Sequence, residues 1–103
     1  WCSWCKKEIP FIRKAYETLK DKNIVFITLM MDDKRERWVS DVEKYNIEWL
    51  NLSDLKGIRN SEIAKDYNVS AIPASFVINP DGIIIDRDLR GERILSTLKG
   101  YFK

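Results

Sequence analysis

The chain has 103 residues, 45% of them hydrophobic and 33% charged, with 18 Lys and Arg, 16 Asp and Glu, no histidine and a formal net charge of +2. This composition predicts one globular domain, 1–103, large enough to bury a single core, and it excludes a disordered chain. The near-neutral balance also excludes a nucleic-acid footprint: cations are scattered among acids, and the densest run, Lys34-Arg35-Glu36-Arg37, reads as a solvated helix face.

The first five residues, Trp1-Cys2-Ser3-Trp4-Cys5, hold both cysteines of the chain. A disulfide between them would close a very short loop. It would remove only roughly 2 kcal/mol of unfolded-state entropy, against about 4.7 kcal/mol for a loop of about 100 residues, so the pair is a poor brace. Two thiols at this spacing are suited instead to exchanging a disulfide with a partner. From there Cys5, Ile9, Ile12, Tyr16 and Leu19 recur at helical spacing and predict an amphipathic helix, with Pro10 as a kink point inside it. Cys5 falls on the apolar stripe. Cys2 falls one turn earlier, at the helix N-terminus, where free N–H groups and the macrodipole favour a thiolate. Residues 20–23 end the helix.

Residues 24–31 (IVFITLMM) are an almost unbroken apolar run rich in branched side chains, too short for a membrane span, and predict a parallel strand covered on both faces. Asp33 followed by Glu36 resembles a capping box, so Asp32 and Asp33 are expected to cap the next helix rather than to serve acid–base chemistry. That helix presents Trp38, Val42 and Tyr45, with Val39 beside them. Residues 49–52 predict a short strand. Asn60 or Ser61 caps a short helix carrying Ile63, Ala64 and Tyr67, and Asn68 suits a left-handed C-terminal position. Residues 75–78, a turn Asn79-Pro80-Asp81-Gly82 and residues 83–87 form a hairpin signal. Ile94, Leu95, Leu98, Tyr101 and Phe102 supply a terminal helix. The sequence shows no internal repeat, low-complexity linker or signal peptide.

A CxxC motif opening a helix, then a strand–helix step, then a proline entering a hairpin, then a final helix, resembles the thioredoxin superfamily. The segments WCSWCKKEIP, NLSDLKG, YNVSAIPASFVINPDG and RDLRGE narrow the resemblance to bacterial thiol-disulfide oxidoreductases of the TlpA and ResA type, within the redoxin group. The resemblance implies an α/β fold with a central mixed sheet flanked by helices. It assigns Cys2 as the attacking thiol and Cys5 as the resolving thiol. It implies a cis bond between Ile72 and Pro73, beside the active site, with the backbone of that turn and Trp4 contacting substrate. Trp1, Ser3 and Lys6 would support the site.

The implied partners are protein thiols or disulfides and an upstream redox partner, with no metal or organic cofactor. The implied setting is the bacterial periplasm or the outer face of a membrane. The chain departs from the family in one respect: the strand that precedes the Trp-Cys motif in the sheet, often with a buried acid, has no counterpart before Trp1. A sheet lacking its central strand is therefore expected, as part of a longer protein in which any membrane anchor would lie upstream. Peroxidase activity of the peroxiredoxin kind is not implied, because the sequence has no Pro-x-x-x-Thr-x-x-Cys segment.

Other readings of these residues stay open. The cysteine pair can be half of a tetrahedral metal site completed in a dimer, since a structural zinc takes four Cys or His ligands and this chain supplies two. The scaffold can equally be a redox-inert binding module. Trp1 and Trp4 can shield core rather than meet substrate. Pro73 can be an ordinary turn proline, and Pro10 is structural. Lys6 and Lys7 either lower the pKa of Cys2 or are solvated first-turn charges, and Glu8 suits a first turn or an active-site acid.

Overall fold

The stripe from Cys5 to Leu19 forms the expected helix. In the computed structural model, which describes residues 3–102, α1 spans Ser3–Leu19 with Pro10 inside it. Its inward face is wider than the stripe alone. Ala15 and Leu19 are buried while Ile9, Ile12 and Tyr16 are half-buried, and full burial of a Leu-sized side chain contributes about 1.5–3 kcal/mol. Seven further elements follow: β1 Ile27–Leu29, α2 Arg35–Lys44, β2 Leu50–Leu52, α3 Gly57–Asn60, α4 Glu62–Asp66, β3 Phe76–Ile78 and β4 Ile84–Arg87; α5, Glu92–Gly100, closes the sequence of elements.

The chain divides into two compact units, one holding α1 with β3, β4 and α5, the other running from Val25 to Ser70. In the first, α1 packs on α5, where Leu98 is buried. β3 and β4 pair antiparallel, with Phe76 opposite Arg87, Val77 opposite Asp86 and Ile78 opposite Ile84, so Ile85 is an extra residue in a bulge. The hairpin turn is the one expected: Asn79 Oδ1 accepts from the N–H groups of Asp81 and Ile83, and Gly82 supplies a φ of 82° that other residues rarely adopt.

In the second unit β1 and β2 pair in parallel, Ile27 opposite Leu50 and Leu29 opposite Leu52, with α2 as the crossover. On one face of this pair Thr28 and Asn51 join a polar network. Asn51 Oδ1 accepts from Trp38 Nε1 at 2.6 Å, its Nδ2 donates to Thr28 Oγ1 at 2.6 Å, and Trp49 Nε1 donates to the same Oγ1 at 3.0 Å. Ser61, fully buried, caps α4 by accepting from the Ala64 N–H and donates to Asp54 Oδ2 at 2.7 Å. Asn68 takes the left-handed conformation its type suggested, φ 55°.

Two expectations fail here. The apolar run 24–31 yields a strand of only three residues, and it is not covered on both faces: Val25 is 76% exposed and Ile27 53%. β1 can extend only as far as its partner, the three residues of β2 plus one bond from the Met30 N–H to the Leu52 carbonyl. Neither Asp32 nor Asp33 caps α2. Lys34 occupies the N-cap without a side-chain bond, and Asp32 is buried with its carbonyl accepting from the Gly57 N–H. The four strands form two separate ladders rather than one continuous sheet.

Candidate active site

The first turn of α1 places Ser3 and Trp4 in solvent and Cys5 and Lys6 half-buried. Cys5 lies where the stripe put it, toward the interior, and is not a free thiol. Trp4 is 64% exposed, and Lys7, one turn on, holds its ammonium 4.6 Å from the centre of the indole. Trp1 and Cys2 lie outside the described residues. Among the described residues no three His, Cys, Asp or Glu side chains converge on one point.

The peptide bond between Ile72 and Pro73 is cis, and both residues are half-buried. Three consecutive residues after β4 hold the turn at Pro73 in place, and a fourth ties to α1. The Asp88 N–H donates to the Ser75 carbonyl at 2.9 Å. Ser75 Oγ accepts from the Leu89 N–H at 2.7 Å and donates to the Leu89 carbonyl at 3.0 Å, and Leu89 is itself buried. Arg90 Nη2 donates to the Pro73 carbonyl at 2.8 Å. The Gly91 N–H then donates to Glu8 Oε2 at 2.8 Å. Gly91 has φ 56°, a conformation that costs glycine little and that turns the chain from β4 into α5 with this N–H aimed at α1.

The cysteine helix and the proline turn are thus tied to adjacent residues, α1 to the backbone of 91 and the turn to the side chain of 90, and Glu8 sits one helical turn beyond Cys5. Of the residues singled out in the sequence, Pro73 and Glu8 are linked through the segment 90–91, Glu8 on α1 and Pro73 in the turn. Ser3, Trp4 and Lys6 remain on the first turn without a bond to the proline turn. Sequence reasoning gave Ser75 and Arg90 no role. No spacing signal was available, because the bonded partners are 14, 17 and 83 residues apart.

The AhpC/TSA family matches residues 1–87. The thiol-disulfide oxidoreductase ResA of Bacillus thuringiensis subsp. konkukian is 32% identical over 103 residues, covering 100% of this chain and 57% of its own length. The sporulation thiol-disulfide oxidoreductase A of Bacillus subtilis is 31% identical over 87 residues, covering 82% and 50%. The chain spans about half the length of these curated relatives. Among solved structures, a thiol-disulfide oxidoreductase from Bacteroides fragilis matches with a TM-score of 0.90 at 26% identity, over 98% of this chain and 74% of that one. StoA from Bacillus subtilis matches with a TM-score of 0.75 at 25% identity, over 100% and 75%. The chain belongs to the AhpC/TSA family and has a thioredoxin-like α/β fold.

Proposed function

We propose that the protein is a thiol-disulfide oxidoreductase that reduces disulfides in other proteins. The thiolate of Cys2 attacks one sulfur of the substrate disulfide, forming a mixed disulfide and releasing the other sulfur as a thiolate that takes up a proton. Cys5, deprotonated, then attacks Cys2 Sγ, forming the Cys2–Cys5 disulfide and releasing the second substrate thiol. A reducing partner returns the pair to the dithiol. The backbone at Ile72 and Pro73 and the face of Trp4 receive the substrate chain, with Trp1, Ser3 and Lys6 framing the motif. By resemblance to oxidoreductases of the TlpA and ResA type, the setting is the extracytoplasmic side of a bacterial membrane.

The observation that carries this reading is the framework joining α1, which the CxxC motif opens, to the turn at Pro73 through Glu8, Gly91 and Arg90. A binding module with no exchange chemistry has no need of that pairing. The test is reduction of insulin by the full-length protein with a dithiol supplied as electron source. Acceleration over the dithiol alone is expected, and a rate equal to that of the dithiol alone would refute the proposal.

A further inference from the structure

We infer that Arg90 is a positioning residue for substrate docking, an assignment that rests on the oxidoreductase reading above and adds to it. Proline has no N–H, so the carbonyl is the only hydrogen-bonding group on the Pro73 backbone, and Arg90 holds it at 2.8 Å. The three neighbouring ties of the same segment, from Asp88, Leu89 and Gly91, all use backbone groups. Arg90 alone reaches the turn with an exposed, flexible side chain.

An exposed arginine gains little fold stability from one bond to a neutral carbonyl, because ordering a long side chain offsets much of the gain. The consequence of the bond lies in what it orients. Ser75 fixes the strand end of the turn against buried Leu89, and Arg90 fixes the proline end. The peptide groups of Ile72, which the substrate chain is to meet, lie immediately before the held carbonyl. Because Gly91 is bonded to Glu8, the residue that grips the turn is covalently adjacent to the one that grips the cysteine helix. Arg90 therefore sets the turn relative to α1, and it acts through Pro73 rather than on the reacting sulfurs.

The test uses the full-length protein and compares Arg90→Ala, Arg90→Gln and Arg90→Lys with wild type. The readouts are steady-state reduction of a peptide disulfide, alkylation of the nucleophilic thiol by iodoacetamide, and thermal melting. Arg90→Ala is expected to raise KM about five- to tenfold, with a smaller change in kcat. Alkylation by a small reagent needs no docking and should keep its rate, as should the melting temperature. Arg90→Lys and Arg90→Gln each retain an N–H donor and should recover part of the lost affinity. An unchanged KM in Arg90→Ala overturns the assignment. So does a KM loss accompanied by equal losses in alkylation rate and melting temperature, or a loss that neither donor-bearing variant relieves. If wild type itself fails to reduce the peptide, the oxidoreductase reading has failed; if wild type reduces it and Arg90→Ala does so equally well, only the role of Arg90 has failed.

Discussion

The two units differ in where their longer-range polar side-chain bonds go. In the unit from Val25 to Ser70 the polar groups satisfy one another. Asn51 uses both ends of its amide, toward Trp38 and Thr28, while Ser61 both caps α4 and donates to Asp54. In the unit holding α1 and α5, Glu8, Ser75 and Arg90 all reach for backbone groups of another element, and those groups belong to the proline turn and to the segment that holds it. The first pattern closes a structure. The second fixes the position of the proline turn. Damage to the first should therefore appear as lost stability, and damage to the second as lost recognition or turnover.

The largest expected effect comes from the reactive pair. Cys2→Ser should abolish insulin reduction, because it removes the thiol proposed to attack. Cys5→Ser should leave attack intact and remove the resolving thiol, so substrate proteins should accumulate covalently attached through Cys2. Non-reducing gels of the two variants, run with and without a reductant, measure the trapped complexes. Equal trapping by both variants, or trapping only through Cys5, would reverse the roles of the two sulfurs.

The next effect belongs to the other unit. Asn51→Leu keeps a similar side-chain volume but strips the acceptor from part-buried Trp38 Nε1 and leaves Thr28 Oγ1 with Trp49 alone of its two donors. An unsatisfied part-buried group costs about 1–2 kcal/mol, so the variant should be less stable by that amount and its urea midpoint should fall by about 1 M at an m-value of roughly 1–2 kcal/mol/M. Its insulin-reducing activity per folded molecule should match wild type. A normal urea midpoint with impaired reduction would mean that the division between the units does not separate stability from recognition.

The same contrast explains what the sequence could and could not show. Periodicity found every long element, because it depends on residues three or four apart: α1 and α5 were legible from Ile9, Ile12 and Leu19 and from Ile94, Leu95 and Leu98. Turn chemistry found the Asn79–Gly82 hairpin and the cap at Ser61, because those bonds span only a few residues. The run 24–31 misled because its hydrophobicity reports what the strand would cover and not how much of it pairs, which the short β2 decides. The capping-box pattern at Asp33 failed because the helix begins at Arg35, so Lys34 and not Asp33 takes the cap. The proline turn was found by resemblance. The ties that hold it bridge residues up to 83 apart, a separation at which no spacing rule operates.

The smallest effects concern Trp4 and Lys7, where the sequence left open whether the indole shields core or meets substrate. With Trp4 64% exposed and Lys7 4.6 Å above it, little fold stability depends on the ring. The cation–π contact at an exposed site contributes about 0.5–1 kcal/mol, and the higher helix propensity of alanine, worth about 0.5 kcal/mol, offsets part of its loss. Trp4→Ala should therefore melt close to wild type. If the open indole face receives the substrate chain, the same variant should raise KM for a peptide disulfide about threefold, roughly 0.7 kcal/mol of lost contact. Lys7→Gln leaves the ring in place but unclamped, so its KM should rise less than about twofold, and the rise should persist at high salt because the loss is of ring placement rather than of long-range attraction. A lowered melting temperature for Trp4→Ala with unchanged KM would return Trp4 to the shielding role. A Lys7→Gln effect that vanishes in salt would instead assign Lys7 an electrostatic part in substrate approach.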